Sequence, residues 1–236
     1  MDLTLIFVIS ILIVAAIGSY FLKKLTFFGG LTAFIVGLGV YLGTSFIGLT
    51  LLILFFVIGT IATKWKASKK QFNKIYVNQS NGRTAQQVIA NGGVPAILSL
   101  LAIFFPQHLS VLQVMLAGSL SAALADTLSS ELGIIYGSNF YDSLSLKKAL
   151  PGPDGIISIE GLVIGIIGSS LLAIVFCLEV GNFNFLGAII VSGTIGNLVD
   201  SLIGATLERK GFVGNNMVNF LNTITGSLVC FIWIIY

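Results

Sequence analysis

Charge is scarce in this sequence. Of 236 residues only 9 are acidic and 12 are basic, against 56% hydrophobic residues and a mean hydropathy of +1.03. Its apolar runs are too long and too frequent for a soluble core. Cysteine is limited to Cys177 and Cys230, in separate apolar runs without a Cys or His at ligand spacing, so neither a disulfide framework nor a cysteine metal motif is present and both read as packing residues. The single histidine, His108, stands beside Pro106 and reads as an exposed loop residue. No GxxxxGK[ST] stretch occurs, which excludes a P-loop. No basic patch with interleaved aromatics lies outside the loops, so no nucleic acid partner is expected.

What the sequence does have is apolar runs long enough to span a bilayer, about 20 residues each. They are continuous rather than alternating, which disfavours a β-barrel. The expected fold class is all-α: a polytopic transmembrane helix bundle of about eight helices, near residues 3–22, 28–43, 46–63, 87–105, 110–136, 157–178, 185–207 and 217–236. The first lacks a preceding basic region and a cleavage site, so it reads as a retained helix. Every basic residue falls in an alternate loop: Lys23 and Lys24; Lys64, Lys66, Lys69, Lys70, Lys74 and Arg83; Lys147 and Lys148; Arg209 and Lys210. Positive charge collects on the cytoplasmic side, so four loops are expected inside and both termini outside. The organisation is one integral membrane domain over 1–236: N-terminal helices 1–63, a basic cytoplasmic loop 64–86 and a catalytic helix bundle 87–236.

An aspartate inside a membrane helix costs about 2.5–3.5 kcal/mol on insertion scales, so an embedded one calls for a partner. Asp126 and Asp200 are two such residues, in stretches that resemble each other: "GSLSAALADTLSSE" from Gly118 and "GTIGNLVDSLIGAT" from Gly193. These form a candidate parallel repeat of helix pairs, fifth with sixth and seventh with eighth. Asp126, Glu131, Asp154, Glu160, Asp200 and Glu208 are all expected on the side that carries the lysines. Thr127 with Glu131, and Asn197 with Asp200, make polar stripes one turn long. Facing helices of this kind suggest a shared cation.

Three polar segments open helices at the same level. "ANGGVPA" supplies Asn91, Gly92 and Gly93, "PGPDGIIS" supplies Asp154 and Ser158, and "GNNMVNFLN" supplies Asn216 and Asn219. Each reads alone as a turn and cap. With the acidic residues and basic loops they read as a site for a polyphosphate and Mg²⁺.

The stretches "GRTAQQVIANGGVPA", "ADTLSSELG", "PGPDGIISIEG", "GNLVDSLIGATLE" and "NNMVNFLN" resemble, in that order, the transmembrane protein 19 family, whose plant and cyanobacterial members are phytyl phosphate kinases. The resemblance implies phosphoryl transfer from a nucleoside triphosphate such as CTP to an isoprenyl monophosphate, for example phytyl or geranylgeranyl phosphate, giving the diphosphate. It implies Asp126, Glu131 and Asp200 as metal and catalytic residues, with Asn91, Asn216 and Asn219 orienting phosphates. Pro153 departs from the pattern, where a hydroxyl residue is usual. The chemistry fits independently: an acceptor phosphate is already anionic, so no histidine base is needed, and positioning and charge neutralisation dominate. Without a P-loop lysine, cations must come from elsewhere, with Arg83, Lys147, Lys148 and Arg209 as candidates. The expected partners are the isoprenyl monophosphate, the triphosphate and the lipid bilayer, with the site on the cytoplasmic face of a prokaryotic plasma membrane or a plastid-type membrane.

Two other readings stand beside this one. A secondary transporter also places carboxylates and broken helices in the membrane, near the midplane and often with inverted repeats. A cytidylyltransferase making a CDP-lipid would release pyrophosphate where a kinase releases nucleoside diphosphate.

Overall fold

The structure, a computed structural model, describes residues 2–67 and 82–236. Lys69, Lys70 and Lys74 of the basic loop lie outside these. Among the described residues seven helices are long and apolar enough to cross a membrane. They are α1 (Leu3–Phe21), α2 (Phe27–Lys64), α3 (Ala85–Phe104), α4 (Leu109–Tyr136), α5 (Ile159–Val180), α6 (Leu186–Ile203) and α7 (Asn215–Ile235).

The count of eight spans survives because α2 is two arms. A straight 38-residue helix would run about 57 Å at 1.5 Å per residue, nearly twice the ~30 Å hydrocarbon core. Ser45 breaks it, with φ 60° and ψ −150°. The chain doubles back there: Gly29 near one end and Gly59 near the other both press on Arg83, and the Lys24 and Lys64 side chains meet. The Thr44 carbonyl, orphaned by the reversal, accepts from Gln113 Nε2 at 3.3 Å, and Gly43 lies directly on the Ser99 carbonyl. The reversal falls in the gap between the expected second and third spans, 28–43 and 46–63.

Helix α4 forms the centre, packed against α2, α3, α5, α6 and α7, while α1 packs chiefly against α2. Small residues permit this. Gly118 of α4 abuts Gly226 and Cys230 of α7, Gly193 of α6 meets Ser121 and Ser169, and Gly196 fits against Ala122. Close backbone approach replaces hydrophobic burial as the adhesive between helices in lipid. Cys177 and Cys230 are buried and unpaired, and His108 is exposed in a 3₁₀ turn, Pro106–His108, as the sequence indicates.

Two departures from simple helices concern the site. Residues 140–158 form a hairpin of β1 (Phe140–Asp142) and β2 (Ile156–Ser158), pairing Phe140 with Ser158 and Asp142 with Ile156. The sixth expected span therefore starts two residues later, with Ser158 as its cap. After Ile203 the seventh continues as a π turn, Gly204–Glu208. Such turns break helical register and are frequent at functional sites.

Candidate active site on the basic face

A cavity of about 300 Å³ opens at the face where the basic loops gather. One wall is acidic. Asp126 from α4 and Asp200 from α6 meet side chain to side chain, at the same level on two helices running the same way. Glu208 in the π turn lies near Asp126 and Asp154. Asn222 of α7, fully buried, reaches Asp200 and the Ala122 carbonyl.

The opposite wall is basic, contributed by Lys23, Lys24, Lys64 and Arg83. Arg83 is fixed at both ends. Its backbone is strapped to the α1–α2 loop through Arg83 N donating to the Lys24 carbonyl at 2.8 Å and Thr26 N donating to the Arg83 carbonyl at 3.1 Å. Its guanidinium passes Gly59, lies 5.5 Å from the Phe55 ring centre and faces Glu131. Burial pulls the arginine below its ordinary range and Glu131 opposes that pull. Lys24, held beside the Lys64 ammonium, is lowered to about 8. Two neighbouring ammonium groups at a cavity mouth are relieved by an anion.

Helix starts complete the ring, and their caps differ. Thr84 and Gln87 close a capping box on α3, and the Ser158 hydroxyl accepts from Gly161 N at 3.0 Å on α5. The first turn of α7 follows Gly214 with no side-chain cap; Met217 N donates to the Gly214 carbonyl at 2.9 Å, which leaves the N–H groups of Asn215 and Asn216 for a phosphate. Asn215 and Asn219 line the cavity there.

Of the residues singled out in the sequence, Asp126, Glu131, Asp200, Arg83, Asn91, Asp154, Ser158, Asn197 and Asn219 line this one space. The others do not. Lys147 and Lys148 are exposed on the hairpin loop, and Asn216 points to Gln86 at 3.4 Å. Gly92 packs on Val36 and Gly93 on Phe220. Arg209 is engaged by the hairpin: Nη1 donates to Asp142 Oδ2 at 2.7 Å, and Nε donates to the Asp154 carbonyl at 3.1 Å. The Ser145 backbone N–H and Arg209 hold the Asp142 carboxyl at about 2. Glu208, one of the carboxylates expected on this side, and Asn222 of the "GNNMVNFLN" segment join the site; Lys24 and Lys64 belong to it too, yet the sequence does not mark the lysines as such. A lysine next to a membrane helix looks the same whether it faces solvent or a cavity.

For a divalent cation the donors are few. Among the described residues no three His, Cys, Asp or Glu side chains form a ready-made cage. Asp126 and Asp200 meet directly, with Glu208 and Glu131 near the pair and Glu131 also facing Arg83. Asp200 Oδ2 is buried without a hydrogen-bond partner, an oxygen with a free coordination position. Two carboxylates suit Mg²⁺, which takes one or two from protein and the rest from water and substrate phosphates.

Fold and site thus define a class: a multi-pass helical membrane protein with a single-faced cavity of carboxylates opposed by cations. The chain belongs to the family described as integral membrane protein DUF92, whose model matches residues 9–227. It is 33% identical over 181 residues to an uncharacterized membrane protein of Methanocaldococcus jannaschii, covering 77% of this chain and 74% of that one. It is 31% identical over 211 residues to Protein VTE6, chloroplastic, of Arabidopsis thaliana, covering 84% of this chain but 61% of that protein's length. Protein PGR of the same plant is 25% identical over 233 residues, 88% and 80% of the two chains. These matches bear out the resemblance to the transmembrane protein 19 and phytyl phosphate kinase family. No solved structure matches.

Proposed function

We propose that this protein is a membrane kinase that transfers a phosphoryl group from a nucleoside triphosphate, CTP by preference, to an isoprenyl monophosphate. The observation that carries this reading is one cavity with an acidic wall of Asp126, Asp200 and Glu208 facing a basic wall of Lys24, Lys64 and Arg83. Polyphosphate with a divalent cation is the ligand class that satisfies both walls at once. Asp126 and Asp200 would hold Mg²⁺, which when bound neutralises phosphate oxygens.

An oxygen of the acceptor phosphate attacks the γ-phosphorus, the bond to the β–γ bridging oxygen breaks, and nucleoside diphosphate leaves. The acceptor carries its own negative charge, so no residue removes a proton. Lys24, Lys64 and Arg83 neutralise phosphates, Glu131 aims Arg83, and the open start of α7 with Asn219 holds a further phosphate. The basic face is the cytoplasmic one, where triphosphate is available.

The test is an assay in liposomes with Mg²⁺, CTP and geranylgeranyl or phytyl monophosphate, reading lipid and nucleotide products together. Isoprenyl diphosphate with CDP is expected. Pyrophosphate with a CDP-lipid would make the protein a nucleotidyltransferase, and no product with any triphosphate or acceptor would return the carboxylates to a transport role.

A further inference from the structure

An apolar groove adjoins the polar cavity. It has a volume of about 110 Å³ and lies between α1, both arms of α2 and the start of α3. The two spaces share a threshold, because Arg83, Gln87 and Asn91 line both. Beyond the threshold nearly all the lining is apolar, with small residues on three helices, Ala16, Ala33 and Gly92 among them. The groove has a floor. Val8, Leu12 and Leu49 form a small separate core there, and the Leu12 side chain sits 3.0 Å from where a Cβ on Gly37 would be. Leu12 lies nine residues above the end of α1, so the floor is roughly 14 Å deep at 1.5 Å per residue, about half of the ~30 Å hydrocarbon thickness. Ala15 and Ile53 at the rim are exposed on the lipid-facing surface.

We propose that this groove seats the isoprenyl chain of the acceptor, its phosphate passing Arg83 into the polar cavity. This rests on the reading of the protein as an isoprenyl phosphate kinase. The groove matches an amphiphile with one hydrocarbon chain and one phosphate: a narrow apolar slot, an arginine at its threshold and a charged chamber beyond. A slot open at its rim to lipid admits a substrate that never leaves the bilayer. Its floor sets the accepted chain length, because a chain longer than the slot has to bend out or stop short of the chamber.

The test uses the full-length protein in detergent with a diazirine-bearing geranylgeranyl phosphate and with isoprenyl phosphates of increasing length. The expected photolabel falls on α1 and α2 peptides and is displaced by unlabelled geranylgeranyl phosphate, not by phosphatidic acid. In Ala33→Phe the ratio of kcat/KM for the longest to the shortest acceptor falls about tenfold or more, and in Leu12→Ala the preference moves toward longer chains. Label confined to other helices, absent from folded protein or displaced equally by phosphatidic acid overturns the assignment, as do unchanged length ratios in both variants. Displaceable groove label without turnover would keep the groove and discard the kinase; turnover with label elsewhere would do the reverse.

Discussion

Single residues carry the electrostatics of the site, and Lys24 is the one whose titration falls in an accessible range. Its ammonium is lowered to about 8 by Lys64 and partial burial, outside the membrane spans. Below that pH it is charged both free and beside a bound polyphosphate. Above it the free form is neutral while bound phosphate favours the charged form, so binding must take up a proton and weakens as pH rises. The expected result is triphosphate affinity that falls about tenfold per pH unit above roughly 8 in the wild type and stays flat there in Lys24→Met. Equilibrium binding across pH 7 to 9.5 checks it. The sequence shows Lys24 only as a positive-inside residue, because the partner that lowers it, Lys64, is 40 positions away and meets it through the reversal at Ser45. Asp126 and Asp200 are legible earlier: a carboxylate in an apolar helix demands compensation, and two in similar stretches answer each other.

At the scale of elements, the hairpin between α4 and α5 is held over the cavity by contacts that the motif "PGPDG" does not announce. Gly155 adopts φ +76°, and a Cβ there would lie 2.6 Å from Ala205 Cα in the π turn. Gly155→Val should cost about 1–3 kcal/mol in strain at that position and push the hairpin from the turn bearing Glu208. A lowered unfolding temperature in detergent together with lost activity is expected. Arg209 joins the same two elements through Asp142 and the Asp154 carbonyl, so its role is positioning. A basic residue in a loop carries no sequence signal that separates phosphate binding from an internal ion pair. Ser158 and Thr84 do the ordinary capping work their sequences suggest, and of α3, α5 and α7, which start at the cavity, α7 is the one without a side-chain cap.

The whole molecule depends on a bundle tight enough to hold α4, α6 and α7 in contact. Gly196 of α6 fits against Ala122 of α4, directly above the aspartate pair, so Gly196→Leu should overpack the core by about 1–3 kcal/mol and part Asp126 from Asp200. Eight crossings also make a topological claim, since both arms of α2 span and Lys23 and Lys66 share one side. A membrane-impermeant maleimide should label Lys23→Cys and Lys66→Cys from the same face, with little background from the buried native cysteines. Labelling from opposite faces would make α2 a single span. Apolar length and alternate basic loops made the bundle readable in advance. The β-hairpin and the groove beside α1 were not, since each depends on where distant segments meet.

The role of the aspartate pair is tested by isoprenyl diphosphate formation in the wild type, Asp126→Asn and Asp200→Asn over a titration of Mg²⁺. The expected turnover requires Mg²⁺ in the wild type and falls at least about 10³-fold in each variant, with protein still folded and monodisperse in detergent. Near-wild-type turnover in either variant, with the same Mg²⁺ dependence, would remove that carboxylate from the metal site and overturn the proposed mechanism.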